Sequence, residues 1–266
     1  MYQDNLVLSI YTVLGRLRTV FFMREVQIMA FQMIHMEIAY RVISELGLTD
    51  GKEEFLLGSV SPDSVHMRSD YSVENKIHSH LFEGCGPWGD TQDYERWMEN
   101  IYRFLRDFTT EEKSIKRKML VMGIFTHCIT DYFNDITIWR GAQKRTLLPM
   151  SQFKNEFYVE ARAIDEWLYQ NSENTTEIRA LLMNSQNEGF YDFYTAKDVA
   201  MMKNNLLNIQ YDVPPADVRG FRYYTKEMLI KFLDDVSEYV VQNLEGRFLD
   251  TDLLHNRINQ LGRTFP

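Results

Sequence analysis

Apolar residues recur at helical spacing through most of this chain, and that pattern most constrains its fold. Side chains that repeat every three or four residues lie on one face of an α-helix, whereas a half-buried strand needs alternation with a period of two. Alternating stretches are scarce in the 266 residues. We therefore predict an all-α fold, a single compact multi-helix domain. Its helical segments are 26–46, 94–108, 114–133, 152–169, 195–207, 226–244 and 251–261.

Glycine and proline separate these segments and give no sign of a second domain. Breakers fall at Gly47, at Gly51, in the run 84–87 and at the prolines of 148–149 and 213–215. No linker or low-complexity tract divides the chain, so we predict one helical domain over 29–266.

Residues 1–28 are predicted to form an N-terminal extension or an extra helix. Asp4 stands where a signal peptide would carry positive charge, and Arg16 and Arg18 interrupt the apolar stretch that follows. The segment is therefore unlike a signal peptide or a membrane span.

The composition favours a globular cytoplasmic protein. Hydrophobic residues make up 45% of the chain, which is enough for a core, but no apolar run reaches membrane length. The net charge of −9 and the pI near 5.2 argue against binding to duplex nucleic acid, which needs a basic surface. Two cysteines provide no disulfide framework.

Histidine and aspartate residues indicate a metal site. Five of the six histidines lie between positions 35 and 127. His127 and Asp131 are four residues apart in a predicted helix, so both side chains leave one face and can bind one cation. His35 lies in an apolar helical run, where a buried imidazole needs a hydrogen bond or a metal. Asp63 follows a turn, and His80 adds a further imidazole.

These pieces together resemble a known family. The order His-x-Glu-Ile-Ala, Gly-x-x-x-Pro-Asp, Ser-His and His-x-x-x-Asp, within about residues 29–170, resembles the zinc-dependent phospholipase C and P1 nuclease superfamily. The resemblance implies an all-helical hydrolase of phosphate esters with zinc, two ions in this chain, or another divalent metal. The substrate would be a small phosphate ester or a lipid headgroup.

The resemblance also implies roles for individual residues. Asp63, His80, His127 and Asp131 would surround one zinc ion, and His35 would join Asp131 in holding a second. In that family the carboxylate at the position of Asp131 bridges two metals, and a bridging hydroxide attacks the phosphate. Asp131 and Asp63 are thus the predicted catalytic residues.

The chain departs from the family pattern at a third metal site. Thr137 stands where the trinuclear enzymes have a histidine, and no histidine occurs between His127 and His255. Carboxylates from the helix at 152–169 could replace the missing ligands, since oxygen ligands suit several divalent metals. The candidates are Glu156, Glu160 and Asp165.

Two alternatives remain open at the level of sequence. The chain could be a helical protein that a metal stabilises without turnover, in which case the ligand shell would be closed. It could also be a helical interaction module in which the histidines are only buried polar groups.

Overall fold

The computed structural model describes residues 31–249, and within them it contains helices and no β-strand. The all-α prediction is confirmed. The α-helices are α1 (Gln32–Glu45), α2 (Lys52–Gly58), α3 (Val73–Ser79), α4 (Tyr94–Thr109), α5 (Ile115–Phe133), α6 (Arg140–Arg145), α7 (Met150–Asn171), α8 (Thr175–Asn184), α9 (Ala196–Asn208) and α10 (Lys226–Leu249). A 3₁₀ helix (Ser61–Met67) connects α2 to α3, and a π-helix (Asn134–Trp139) continues α5.

The long predicted segments correspond to α1, α4, α5, α7, α9 and α10. The predicted helix at 251–261 and the extension at 1–28 lie outside the described residues. Short helices were missed, because segments such as α2 and α3 have only seven residues and show too little periodicity. Asp63 was expected in a loop after a turn, but it lies in the 3₁₀ helix, where Pro62 suits the first turn.

Helix α5 is the centre of the fold. Its residues from Met119 to Thr130 are all buried, so the helix is covered on every side. Helices α1, α2, α4 and α10 pack around it. Because α5 carries two of the predicted ligands near its C-terminal end, this packing fixes them in the interior. None of the helices in residues 31–249 combines the length and apolar character that a bilayer span requires.

Two glycines allow α2 to cross α5 at very short distance. A methyl group at Gly123 would lie 2.8 Å from Gly58 Cα and would overlap the backbone carbonyl of Phe55. A methyl group at Gly58 would similarly overlap the carbonyl of Leu120. The close crossing brings Ser59, the residue after α2, against the ligand-bearing part of α5.

Candidate metal centre

Four elements bring the five predicted ligands together. His35 comes from α1, Asp63 from the 3₁₀ helix, His80 from the C-terminal cap of α3, and His127 and Asp131 from α5. The first four are buried, and the side chain of Asp131 is 16% exposed. The spacing of four on α5 places His127 and Asp131 on the same face, as the sequence predicted.

The ligand atoms converge around the carboxylate of Asp131. Its Oδ1 lies 3.3 Å from His35 Nε2, and its Oδ2 lies 3.3 Å from His80 Nε2 and 3.7 Å from His127 Nε2. His80 Nε2 also lies 3.2 Å from Asp63 Oδ1. Each oxygen of Asp131 therefore faces a different group of imidazoles.

Hydrogen bonds on the far side of two imidazoles set their tautomers. The carbonyl of Ser59 lies 2.8 Å from His127 Nδ1 and can only accept, so that nitrogen carries the proton. Ser79 donates to the carbonyl of Lys76 and lies 2.9 Å from His80 Nδ1, which then donates to it. Both rings thus direct Nε2 into the cluster.

The cluster fits a metal ion. His80 Nε2 and His127 Nε2 lie 3.2 Å apart, so a proton or a metal cation is needed between the two lone pairs. A tetrahedral zinc shell with ligands at about 2.0–2.1 Å has edges of roughly 3.3 Å between ligand atoms. The distances from His80 to Asp63, His127 and Asp131 are 3.2, 3.2 and 3.3 Å. Imidazole and carboxylate are also the ligands that zinc accepts.

The charge states suit metal binding as well. Burial lowers the pKa of His127 to about 3, and the nearby His35 contributes to this, so the ring stays neutral near pH 7. Burial alone would raise the pKa of Asp131, but hydrogen bonds from His35 and His80 hold it well below its usual value. The pKa of Asp63 is likewise low, because the ammonium of Lys76 and hydrogen bonds from His66 and His80 outweigh its burial. His80 is the exception: burial and Lys76 lower its pKa, but hydrogen bonds to Asp131 and Asp63 outweigh them and raise it. Because metal ligands must be deprotonated, a metal has to displace the proton of this ring.

Three further side chains surround Asp63. Gln32 donates to its Oδ2, while His66 Nε2 and Lys76 Nζ lie 3.2 and 3.3 Å from its Oδ1. The ring of His66 is buried against Asp63. Sequence reasoning missed Gln32 and Lys76. The sequence signal available for Gln32 was a polar residue in an apolar run, three positions before His35.

Two charged members of the cluster keep partial exposure to solvent. Asp131 and Lys76 retain 16% and 12% exposure of their side chains. Tyr158, which is 38% exposed, interacts electrostatically with both, and Trp88 packs beside His80 and Lys76. The π-helix begins three residues after Asp131, a form of helix that often occurs near functional sites.

The carboxylates considered as substitute ligands have other partners. Glu160 accepts hydrogen bonds from the backbone amides of Arg222, Tyr223 and Tyr224. Asp165 accepts from the amide of Ile34, at the start of α1, and from the Tyr211 hydroxyl. Both carboxylates therefore stabilise backbone and helix ends.

Glu156 and His78 also lie outside the cluster. Glu156 pairs with Arg222 on the surface. None of Glu156, Glu160 and Asp165 belongs to the groups of converging ligand atoms found among the described residues. His78 is half-exposed and pairs with Glu83 and Asp192, away from the cluster.

Comparison with known families agrees with this geometry. Residues 34–134 match the family model described as zinc dependent phospholipase C. This segment belongs to the zinc-dependent phospholipase C family. The matched segment contains all five predicted ligands, and the resemblance predicted from the sequence is confirmed there. No curated protein and no solved structure matches the chain. Family and cluster together indicate a metal-dependent phosphoesterase.

Proposed function

We propose that this protein hydrolyses phosphate esters with divalent metal, preferably zinc, held by His35, Asp63, His80, His127 and Asp131. The observation that carries the proposal is that Nε2 of His80 lies 3.2–3.3 Å from ligand atoms of Asp63, His127 and Asp131, close to the edge length of a tetrahedral shell. The family match over the same residues supports the choice of zinc and of a phosphate ester.

The two oxygens of Asp131 support a centre with two ions. Its Oδ2 would join His80, His127 and Asp63 at one ion, and its Oδ1 would join His35 at the second. Two divalent ions would supply Lewis acidity and water of lowered pKa for attack on the phosphate. His35 and Asp131 are the two protein ligands that we assign to the second ion, which leaves it the more open of the two.

The protein's own groups prepare this chemistry. The carbonyl of Ser59 and the hydroxyl of Ser79 fix the rings of His127 and His80, so little reorganisation is needed when ligands bind. Gln32 and His66 hold Asp63 in place. Burial of the imidazoles keeps bulk water away from the inner side of the cluster, and the exposed edge at Asp131 gives an ester its route in.

Hydrolysis assays with zinc-loaded protein test the proposal. We expect turnover of p-nitrophenyl phosphate, of bis(p-nitrophenyl) phosphate or of a phospholipid headgroup, with loss of activity after chelation and recovery with zinc. Asp131→Asn should lower kcat/KM by at least about 1000-fold, because it removes charge where both ions would bind.

His78→Asn is the matched control. His78 lies two residues before His80 but pairs with surface carboxylates, so this variant should retain both metal and activity. Stoichiometric metal without hydrolysis of any of the three substrate classes would contradict the proposal and favour a metal that only stabilises the fold. Equal activity in Asp131→Asn and the parent protein would contradict the assigned centre.

A further inference from the structure

Lys76 places a positive charge beside the cluster, where its ammonium donates to Asp63 and helps to hold the pKa of that carboxylate low. Its Nζ lies 3.3 Å from Asp63 Oδ1, 3.3 Å from His66 Nε2 and 4.6 Å from the centre of the Trp88 ring. An ammonium cannot bind a metal, since it has three donor hydrogens and no lone pair. Its position next to a proposed metal ligand therefore needs another explanation.

Pairing with Asp63 alone does not explain this position. Asp63 already receives hydrogen bonds from Gln32 and contacts from His66 and His80. A second cation in the same place would also oppose metal binding electrostatically. The repulsion between the ammonium and the metal is offset if the ammonium binds a ligand that arrives after the metal.

The location of Lys76 identifies that ligand as an anion. Lys76 and Asp131 are the two charged members of the cluster with partly exposed side chains, at 12% and 16%. An ester that approaches the exposed edge of Asp131 also approaches the ammonium, since the two groups are close enough to interact electrostatically. Asp63 accepts one of the three ammonium hydrogens, so another can bond a phosphate oxygen.

We propose that Lys76 binds a phosphate oxygen of the substrate and makes the site selective for phosphate monoesters, which are dianions, over diesters. The extra oxygen charge of a monoester is the feature that an additional fixed cation recognises. Selectivity for a monoester rests on the proposed phosphoesterase function, because the same exposed edge and the same cluster are used.

Binding of inorganic phosphate tests this role without turnover. Calorimetry with zinc-loaded protein should show that phosphate binds more tightly than dimethyl phosphate, a monoanion. Lys76→Met should weaken phosphate binding on the order of 10- to 100-fold, the loss of one charge-assisted hydrogen bond, and should change dimethyl phosphate binding much less. Lys76→Arg should restore part of the phosphate affinity, because the charge returns with different geometry.

Lys113→Met is the control. Lys113 is exposed and lies just before α5, about 20 Å along the helix axis from His127. Metal content is measured in each variant, and Lys76→Met should hold at least as much zinc as the parent. Equal loss of phosphate and dimethyl phosphate affinity, or no loss of either, would overturn the selectivity role.

Kinetics separate this inference from the proposed function. The ratio of kcat/KM for p-nitrophenyl phosphate to that for bis(p-nitrophenyl) phosphate should fall about 10-fold or more in Lys76→Met. An unchanged ratio in an active enzyme overturns the role of Lys76 alone. Absence of hydrolysis in the parent protein with bound zinc overturns the phosphoesterase function itself.

Discussion

The two oxygens of Asp131 face different imidazoles, and this asymmetry leads to a prediction about stoichiometry. His35 lies against Oδ1, while His80 and His127 lie against Oδ2. His35→Ala should therefore lower the zinc content from two ions per chain to one. His127→Ala should abolish the better-defined site. Elemental analysis of the two variants measures this difference, and equal zinc loss in both would contradict the assignment of ligands.

Asp165 leads to a prediction about pH. Burial raises its pKa to about 7, although hydrogen bonds from Tyr211 and Ile34 oppose the rise. Between about pH 4 and pH 7 the unfolded chain loses this proton and the folded chain keeps it, so the free energy of unfolding falls as the pH rises. Asp165→Asn does not lose stability in this way. By about pH 7 its unfolding free energy should have risen relative to the parent by on the order of 2–4 kcal/mol.

Urea unfolding in the presence of a chelator, from pH 4.5 to pH 8, measures this effect. The chelator removes any contribution from bound metal. The difference in unfolding free energy between Asp165→Asn and the parent should grow up to about pH 7 and then level off. A difference that is constant with pH would show that Asp165 is ionised throughout.

At this scale the sequence revealed the imidazoles but not their surroundings. His35, His80 and His127 could be predicted because a polar ring in an apolar segment needs a partner, and because the residue order resembles a family. Lys76 could not be predicted, since its neighbours in the sequence give no sign that its ammonium enters the interior. Its placement depends on the fold of α3 and the 3₁₀ helix around Asp63.

The crossing of α2 and α5 connects helix packing to the metal centre. Gly58 and Gly123 let the two backbones touch, and the residue after α2, Ser59, supplies the carbonyl that orients His127. Any side chain at Gly123 must push α2 away from α5. The same displacement would move the carbonyl of Ser59 away from His127 Nδ1.

Gly123→Ala should therefore reduce both stability and metal affinity. We expect a loss of about 2–4 kcal/mol in unfolding free energy, because the overlapping atoms belong to rigid backbone. Zinc affinity should fall by about 10-fold or more through misorientation of His127. Urea unfolding of the apo protein and competition with a zinc chelator measure the two effects.

Gly47→Ala is a suitable control for that variant. Gly47 follows the end of α1, and a methyl group there would have no atom within 4 Å. Its backbone φ of 60° makes a modest loss of stability expected, with zinc affinity unchanged. An equal fall in zinc affinity in both variants would contradict the claim that the crossing of α2 and α5 orients His127.

Elements of different length were predicted with different success. The amphipathic α4 and the apolar α5 are long enough for their periodicity to be read. The close crossing of α2 and α5 was beyond sequence reasoning, because Gly58 resembles a breaker when the partner helix is unknown. The 3₁₀ helix at Asp63 was missed for a similar reason, since Pro and Asp are also turn residues.

At the scale of the whole molecule, the proposed metal centre joins elements that are distant in the chain. The proposed ligands come from α1, the 3₁₀ helix, the cap of α3 and α5, so ion binding would hold four elements together. An ion that binds only the folded chain, at a free concentration of about 1,000 times its Kd, adds about 4 kcal/mol to the unfolding free energy. The apo protein should therefore melt at lower temperature than the zinc-loaded protein, and calorimetry with and without chelator measures the shift.

Metal bound at Asp131 is the central feature of the proposed site. Elemental analysis of purified, untagged protein for zinc, iron and manganese, beside Asp131→Ala and the control Asp135→Ala, decides this. Asp135 lies four residues beyond Asp131 and pairs with Thr91 and Tyr94 instead of the cluster. We predict about two ions per chain in the parent and in Asp135→Ala, and loss of both ions in Asp131→Ala. A parent protein that holds no metal after incubation with zinc, or an Asp131→Ala variant that keeps its full metal content, would contradict the account.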